Sequence, residues 1–268
     1  MLEIANLHKI FMVGGVAPKG ALSGVDLKVC PGQFVTIIGS NGAGKSTLLN
    51  AIAGVFPVDR GIILLDKEDI TLQPEHERAA RIGRVFQNPL QGTAASMSVE
   101  ENLAMARRRG QRRGLNRGLT RQGRERIKQS LCVLGLGLED RLHSAVGLLS
   151  GGQRQALALV MATLARPSLL LLDEHTAALD PTTAEQIILL TERLVAQEGL
   201  TTLMITHNLE QALRLGDRTI MMHEGQIVLS ISGPERARMG VDDLLQEFRR
   251  VRGAQVVDDS LLLTTTAH

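Results

Sequence analysis

The residues from 39 to 47 form a glycine-rich loop that can bind phosphate. They are Gly39, Ser40, Asn41, Gly42, Ala43, Gly44, Lys45, Ser46 and Thr47, which satisfy the pattern G-x-x-x-x-G-K-[ST] in full. Glycines let backbone N–H groups turn onto phosphate oxygens, and the helix that follows directs its positive end at the same anion. Lys45 supplies a charge for the β- and γ-phosphates, and the Ser46 hydroxyl can ligate Mg²⁺. The loop therefore predicts binding of ATP or GTP with Mg²⁺.

The sequence contains a second candidate anion site. Its residues are Leu149, Ser150, Gly151, Gly152 and Gln153, which open a segment of helical pattern. A serine and two glycines at a helix N-terminus can bind an anion. One nucleotide in one chain does not need two such sites, whereas two chains arranged head to tail do. In such a pair, Ser150 and Gly152 of each chain would face the γ-phosphate held by the other chain's Lys45.

Strands that alternate with helices must position these residues. Short apolar runs at 34–38, 169–172 and 202–205 have the pattern of buried parallel strands, and each precedes a helical segment. Asp180 followed by Pro181 is a strong helix start, with an N-cap and a proline at the first helical position. The alternation predicts a parallel, doubly wound α/β sheet.

Outside these runs the pattern changes along the chain. The first third reads as strands, at 2–11 and 22–29. From 88 to 165 the helical signals dominate, with a capping box at Ser98 and Glu101. We therefore expect core residues 1–87 and 166–232, a helical subdomain at 88–165 and a C-terminal helix at 233–251, all within one domain of residues 1–250. A tail follows at 252–268.

The five residues from Leu149 match the signature motif of the ABC ATPases, and the chain from about residue 2 to 250 resembles that family. The resemblance implies an α/β fold, the P-loop NTPase ABC ATPase fold. Such a fold has a RecA-like parallel-sheet core, an N-terminal antiparallel β subdomain and an inserted helical subdomain. The resemblance also implies hydrolysis of ATP with Mg²⁺, coupled to transport across a membrane.

The same resemblance assigns roles to residues beyond the two loops. Asp173 would hold Mg²⁺ through water, and Glu174 would polarise the attacking water as a general base. Gln87 would contact Mg²⁺ and link the core to the helical subdomain. His207 resembles the switch histidine that hydrogen-bonds the γ-phosphate, and 177–180 resembles the D-loop that meets the opposite subunit. We expect Glu174, His207 and Lys45 to be catalytic.

Alternatives remain open at a few positions. Phe11 matches the place of the family's adenine-stacking aromatic, but it could be an ordinary core residue. His175 stands where many members have proline; we expect a neutral neighbour of Glu174, although a charged one would change the electrostatics there. Cys30 and Cys132 have neither disulfide nor metal-ligand spacing, so we expect both to be small buried hydrophobes.

The charge is unevenly distributed along the chain. Residues 107–126 include nine arginines and one glutamate, whereas the net charge of the chain is +2. This basic run is expected either to approach a permease and anionic lipid or to be a solvated loop. Nucleic-acid binding ranks last, because no aromatic residues interleave the arginines.

No apolar run reaches the roughly 20 residues of a membrane-spanning helix, so a membrane role must come through a partner. We expect a head-to-tail dimer at the cytoplasmic face of the inner membrane, docked on separate permease subunits and fed indirectly by a solute-binding protein. The segments 92–103 and 173–180 look most like ATPases of branched-chain-amino-acid-type permeases with tryptophan/tyrosine-type binding proteins.

Other ABC ATPases are the alternatives. An exporter subunit resembles the chain almost as well. A DNA-repair ATPase would need a long coiled-coil insertion between Lys45 and Ser150, and no sustained heptads occur there. A translation ATPase would join two such units in one chain. A nucleotide kinase would leave the motif at Ser150 unexplained.

Overall fold

The structure is a computed structural model that describes residues 1–11, 19–111, 120–132 and 134–252. The chain divides into two compact units. Unit 1 contains Met1–Arg78 and the described chain from Thr201 onward, and unit 2 contains Ala79–Leu200. In the described residues, no helix is both long enough and apolar enough to span a bilayer.

The elements follow in chain order. The strands are β1 (Leu2–Phe11), β2 (Lys19–Val29), β3 (Phe34–Gly39), β4 (Arg60–Leu65), β5 (Glu68–Asp69), β6 (Ile82–Val85), β7 (Leu169–Asp173), β8 (Thr202–Ile205), β9 (Arg218–His223) and β10 (Gln226–Ser232). The helices are α1 (Lys45–Ala53), α2 (Glu75–Arg78), α3 (Val99–Arg107), α4 (Arg121–Cys132), α5 (Gly151–Thr163), α6 (Pro181–Glu198), α7 (Leu209–Arg214), α8 (Gly233–Arg238) and α9 (Val241–Arg252).

Unit 1 contains two sheet regions. An antiparallel sheet has the order β2-β1-β4-β5, in which Leu2 of β1 lies opposite both Val29 and Leu65. In the other region the order is β10-β9-β3-β8, and β3 runs parallel to both β8 and β9. All residues of β3 are buried, as expected for a central parallel strand covered on both faces. The glycine-rich loop leaves the carboxyl end of this strand.

Unit 2 combines two parallel strands with the four helices α3, α4, α5 and α6. Strand β6 pairs with β7, with Val85 opposite Leu172. Helix α3 begins at the capping box of Ser98 and Glu101, and α5 is buried along most of its length. Helix α6 begins at Asp180, whose Oδ1 accepts a hydrogen bond from the Thr183 N–H at 3.0 Å.

The α/β fold predicted from the sequence is confirmed, including the antiparallel N-terminal sheet and the helical region that contains α3, α4 and α5. The sequence patterns did not indicate β4, β5, β6, β9 or α2, and the helix predicted at 233–251 is divided into α8 and α9. The prediction for the cysteines is wrong, since Cys30 and Cys132 are both exposed. Each lies at the end of an element, Cys30 in the turn after β2 and Cys132 as the last residue of α4, where the side chain can face solvent.

The basic run at 107–126 lies partly outside the described residues, because 112–119 are not among them. Within the described part, Arg124 forms an ion pair with the buried Glu100, with 2.5 Å between Nε and Oε2. His143 approaches the other oxygen of the same carboxylate at 3.2 Å. At least one arginine of the run therefore holds α3 and α4 together.

Candidate functional site

The glycine-rich loop has a backbone that only glycine fits well at its two ends. Gly39 has φ +149° and Gly44 has φ +98°. A Cβ at Gly39 would lie 2.3 Å from the Met222 carbonyl oxygen, and one at Gly44 would lie 2.5 Å from that of Ala21. Because neighbouring backbone occupies that space, larger residues would displace the loop.

Lys45 is held at the base of this loop. Its Nζ donates to the carbonyl oxygens of Gly39 at 2.8 Å and Ser40 at 3.0 Å, and the residue is 5% exposed. Helix α1 begins at Lys45 without a side-chain cap, so its first N–H groups and positive dipole end are directed into the loop. Ser46 is exposed on the first turn and Thr47 is half-buried. The arrangement suits a bound phosphate chain.

A cleft of about 510 Å³ opens beside this loop in unit 1. The loop residues Ser40 to Ala43 form one wall, and Ser23, His223 and Glu224 contribute to the others. The turn between β9 and β10 is hydrogen-bonded to the glycine-rich loop, since the Gly225 N–H donates to the Ala43 carbonyl at 3.0 Å. The cleft is large enough for part of a nucleotide.

Phe11 ends β1 and is 37% exposed, so it is not a core residue. Its ring packs edge-on against Phe56 at 5.2 Å between centroids. Lys9 Nζ lies 5.4 Å from both ring centroids and donates to Asp59 at 3.1 Å. Hydrogen bonds from the Ile10 N–H and then from Lys9 lower the pKa of Asp59. The exposed ring is compatible with base stacking, and that role stays a prediction.

His207 lies in the turn between β8 and α7. The Thr206 hydroxyl oxygen before it accepts from the Asn208 N–H at 3.1 Å. Asn208 after it caps α7 by accepting from the Gln211 N–H at 2.9 Å. Both neighbours are therefore fixed by hydrogen bonds, which holds the half-buried imidazole at the carboxyl end of a parallel strand.

Unit 2 carries the predicted acidic residues at the carboxyl end of β7. Asp173 is the last residue of that strand, and Arg84 Nη2 lies 3.7 Å from its Oδ2. Glu174 follows with φ +46°, a left-handed conformation that is costly for a residue with a Cβ. Strained backbone is common at functional sites, and the role of Glu174 as general base stays a prediction.

His175 is 2% exposed, and its Nε2 lies 3.0 Å from Thr191 Oγ1 on α6. The Thr191 hydroxyl donates its hydrogen to the Ile187 carbonyl at 2.8 Å, which leaves its oxygen to accept from the imidazole N–H. Burial lowers the pKa of His175 to about 4. Burial against α6 favours the neutral imidazole that was expected here, and its neutrality stays a prediction.

The predicted signature residues begin helix α5 in unit 2. Ser150 and Gln153 form a reciprocal capping box, with both hydrogen bonds at 3.2 Å. A Cβ at Gly152 would lie 2.3 Å from Thr183 Cγ2, so α5 approaches α6 closely there. Ser150 and Gly151 are exposed, which leaves the helix N-terminus accessible to an anion.

Gln87 lies just after β6 and is exposed. The segment that carries it is tied to α5, because Gln155 Nε2 donates to the Phe86 carbonyl at 3.3 Å. The structure thus brings together Lys45 with its loop in unit 1, and places Asp173, Glu174, Gln87 and the α5 N-terminus in unit 2. Sequence reasoning missed Arg84, because the sequence did not indicate the strand β6 that carries it.

The candidate magnesium ligands are all oxygen donors. Ser46, Asp173 and Gln87 offer hydroxyl, carboxylate and amide oxygens, the hard donors that Mg²⁺ prefers. Among the described residues, no group of three or more His, Cys, Asp or Glu side chains could form a metal cage. A single carboxylate with substrate phosphates is a common way to bind Mg²⁺, so these residues fit the ion.

Comparisons with known proteins agree with this geometry. The family model described as ABC transporter matches residues 22–177. The chain is 44% identical to the tyrosine transport ATP-binding protein of Clostridioides difficile, across 92% of this chain and 98% of that protein. It is 36% identical to the thiamine import ATP-binding protein ThiQ of Yersinia pseudotuberculosis, across 79% and 84%. It spans 61% of the methionine import ATP-binding protein MetN of Corynebacterium efficiens, at 34% identity.

Solved structures of ATP-binding cassettes have the same fold as this chain. The dimeric post-hydrolysis state of the ATP-binding cassette MJ0796, bound to ADP and Pi, superposes with a TM-score of 0.75 at 29% identity, covering 87% of this chain and 98% of that one. The ADP conformation of the cassette MJ1267 superposes with a TM-score of 0.73 at 30% identity, covering 93% and 98%.

Proposed function

The chain belongs to the ABC transporter family as an ATP-hydrolysing subunit, and from that premise we propose that two copies pair head to tail to power a separate permease that imports a small solute. The observation that carries the proposal is the exposed N-terminus of α5, where Ser150 begins the helix. This second anion site serves the nucleotide held by the partner copy. The dimeric MJ0796 cassette with ADP and Pi supports such a pairing.

The proposed mechanism assigns each polar group a separate task. Lys45 and the backbone N–H groups of its loop bind the phosphates and hold them in position. Glu174 accepts a proton from the attacking water. His207 donates a hydrogen bond to the γ-phosphate, which stabilises charge that develops during the reaction. Ser46, Asp173 and Gln87 would hold Mg²⁺, which would supply positive charge against the phosphate oxygens.

We propose Phe11 as the adenine-stacking residue. A base on an aromatic face contributes about 1–3 kcal/mol of binding free energy. The ring is 37% exposed and packs edge-on against Phe56, and this exposure supports its proposed contact with a base.

The solute is proposed to be an amino acid or a related small molecule, taken up from outside. The relatives named for tyrosine transport and for methionine and thiamine import support this class and direction. The permease would meet the helical region of unit 2, where Leu90, Met105 and Leu148 expose large apolar side chains. The chain would then lie peripherally at the cytoplasmic face of the inner membrane, with the solute-binding protein as an indirect partner.

A complementation experiment tests the head-to-tail pair. Lys45→Met and Ser150→Arg proteins should each lack ATPase activity, and Ser150→Arg should still bind ATP. When the two are mixed, one composite site contains the intact Lys45 of one chain and the intact Ser150 of the other, so activity should return.

The matched control mixes Lys45→Met with the double variant Lys45→Met/Ser150→Arg, in which no intact site can form and no activity should appear. Mixed dimers that form but stay inactive in the first mixture would contradict the shared-site arrangement. Loss of ATP binding in Ser150→Arg would do the same.

A further inference from the structure

An arginine lies beside the carboxylate proposed to hold magnesium. Arg84 is on β6, and its Nη2 lies 3.7 Å from Asp173 Oδ2 at the end of the neighbouring strand β7. The two side chains are 12% and 15% exposed. We propose that Arg84 is the resident counter-cation of Asp173 and sets the concentration of Mg²⁺ that the nucleotide site requires.

The physical argument is competition between two cations for one carboxylate. A largely buried carboxylate is costly to fold unless positive charge or hydrogen bonds compensate for its lost hydration. Arg84 provides that charge when no metal is bound. A metal ion held by the same carboxylate is repelled by the guanidinium, so Arg84 weakens metal binding. Two carboxylate oxygens leave room for both partners, so the effect is a change in affinity and not exclusion.

The fold keeps Arg84 at this place. Its guanidinium carbon lies 4.4 Å from the centroid of the Phe86 ring, a stacking distance. The same strand packs closely on α5, since a Cβ at Gly83 would lie 2.5 Å from the Ala162 carbonyl oxygen. The position of Arg84 on β6 and its stacking on Phe86 therefore hold the positively charged guanidinium close to Asp173.

The test measures ADP binding by calorimetry across a Mg²⁺ titration, together with the melting temperature in EDTA without nucleotide. Arg84→Met removes the charge and keeps an unbranched side chain, while Arg84→Lys keeps the charge. For Arg84→Met we expect the Mg²⁺ concentration at half-maximal enhancement of ADP affinity to fall about fivefold or more, and the metal-free melting temperature to fall. Arg84→Lys should stay close to the parent in both. If Arg84→Met does not fold, Arg84→Gln replaces it.

The inference rests on the proposed magnesium role of Asp173, so Asp173→Asn serves as the reference. If the parent shows Mg²⁺ enhancement that Asp173→Asn abolishes, but Arg84→Met requires as much Mg²⁺ as the parent or more, the role of Arg84 alone is overturned. If Asp173→Asn keeps the full enhancement, the magnesium role of Asp173 is overturned, and the inference about Arg84 with it.

Discussion

Glu174 combines an unusual backbone with a reactive position. Its φ of +46° is costly for a non-glycine residue, and it comes directly after the last residue of β7. The next residue, His175, is anchored to Thr191 on α6. The strand on one side and the buried imidazole on the other therefore restrain the backbone of Glu174.

Replacement of Glu174 by glutamine should reduce ATP hydrolysis by about 10²–10⁴-fold, the usual contribution of a general base. ATP affinity should stay close to that of the parent, because the amide is nearly isosteric. Steady-state phosphate release and equilibrium binding measure the two effects. Glu185→Gln, an exposed position in the same unit, is the control and should hydrolyse ATP normally. Normal turnover by Glu174→Gln would remove the general base from the mechanism.

His175 predicts a pH dependence of stability. Its pKa is about 4 in the folded chain because of burial, and near 6.5 when unfolded. The unfolded state therefore gains protons first as the pH falls, so stability is lost between about pH 6.5 and pH 4. From pH 7 to pH 5 this residue accounts for about 2 kcal/mol.

Urea unfolding in EDTA at pH 7 and pH 5 measures this difference. The loss between the two values should be smaller by about 2 kcal/mol in His175→Asn than in the parent. His76→Asn, at an exposed histidine, should lose as much stability as the parent. Equal losses in all three proteins would show that His175 is not buried in its neutral form.

For individual residues, the sequence predicts sites whose members lie next to one another in the chain. It does not predict contacts between residues that only folding brings together. The phosphate loop was readable because Gly39, Gly44 and Lys45 act within one short segment. The contact of Arg84 with Asp173 joins residues far apart in the chain, and no spacing rule connects them. The left-handed backbone of Glu174 was equally hidden, because a glutamate carries no local signal for positive φ.

Two helices of unit 2 begin with the same type of capping box. Ser98 starts α3 and Ser150 starts α5, each in a capping box with the residue three positions later. The hydrogen bonds are comparable, at 3.3 Å to Ser98 Oγ and 3.2 Å to Ser150 Oγ. Only the second serine belongs to the proposed anion site, which makes the pair a built-in control.

Alanine at either position should cost about 1 kcal/mol of unfolding free energy, because each loses an N-cap. Ser150→Ala should also lower ATPase activity several-fold through the lost contact to the partner's phosphate, whereas Ser98→Ala should keep full activity. Chemical denaturation and ATPase assays distinguish the two effects. Equal activities in the two variants would reduce Ser150 to a structural cap.

Arg78 binds backbone carbonyls at the C-terminal end of α1, the helix that follows the glycine-rich loop. The residue is 3% exposed, and its Nη1 donates to the Ala51 and Ile52 carbonyls of α1 at 2.8 and 2.9 Å. Its Nε and Nη2 donate to the Gln73 and Thr71 carbonyls, each at 2.8 Å. A cation here also interacts favourably with the negative end of the helix dipole.

Arg78→Met should therefore destabilise the chain by at least about 3 kcal/mol, since buried carbonyls lose a charged donor. Arg78→Lys should recover only part of this, because an ammonium cannot span four carbonyls as a planar guanidinium does. Urea denaturation measures both, with the exposed Arg60→Met as control. A cost below about 1 kcal/mol would mean that water replaces the guanidinium.

The central strands with an uninterrupted apolar run were predicted from the sequence, whereas β6, with a glycine and an arginine in four residues, was not. β3, β7 and β8 are buried along their length, so their residues are nearly all apolar. β6 contains Gly83 and Arg84, because one position packs against α5 and the other faces Asp173. Tertiary contacts fix those two residue types, and propensity cannot anticipate them.

At the scale of the whole molecule, the sequence already required a second chain. The phosphate loop belongs to unit 1 and the α5 N-terminus to unit 2. Each has the features of an anion site, and the proposed head-to-tail pair would use both for every nucleotide. The dimer was therefore predictable from residue types alone, while the solute was not, because the ATPase subunit does not contact it in the proposed arrangement.

This dependence on a partner predicts that ATP drives dimer formation. In the Glu174→Gln background ATP persists, so the protein should change from monomer to dimer on size-exclusion chromatography when ATP is added, and revert when ATP is replaced by ADP. Adding Ser150→Arg should keep the chain monomeric with ATP, since a bulky cation displaces the small residues that face the partner's phosphate. Adding Ser98→Arg, at the other capping box, should leave ATP-driven dimerisation intact. A Glu174→Gln/Ser150→Arg protein that dimerises normally would show that the pairing surface lies elsewhere.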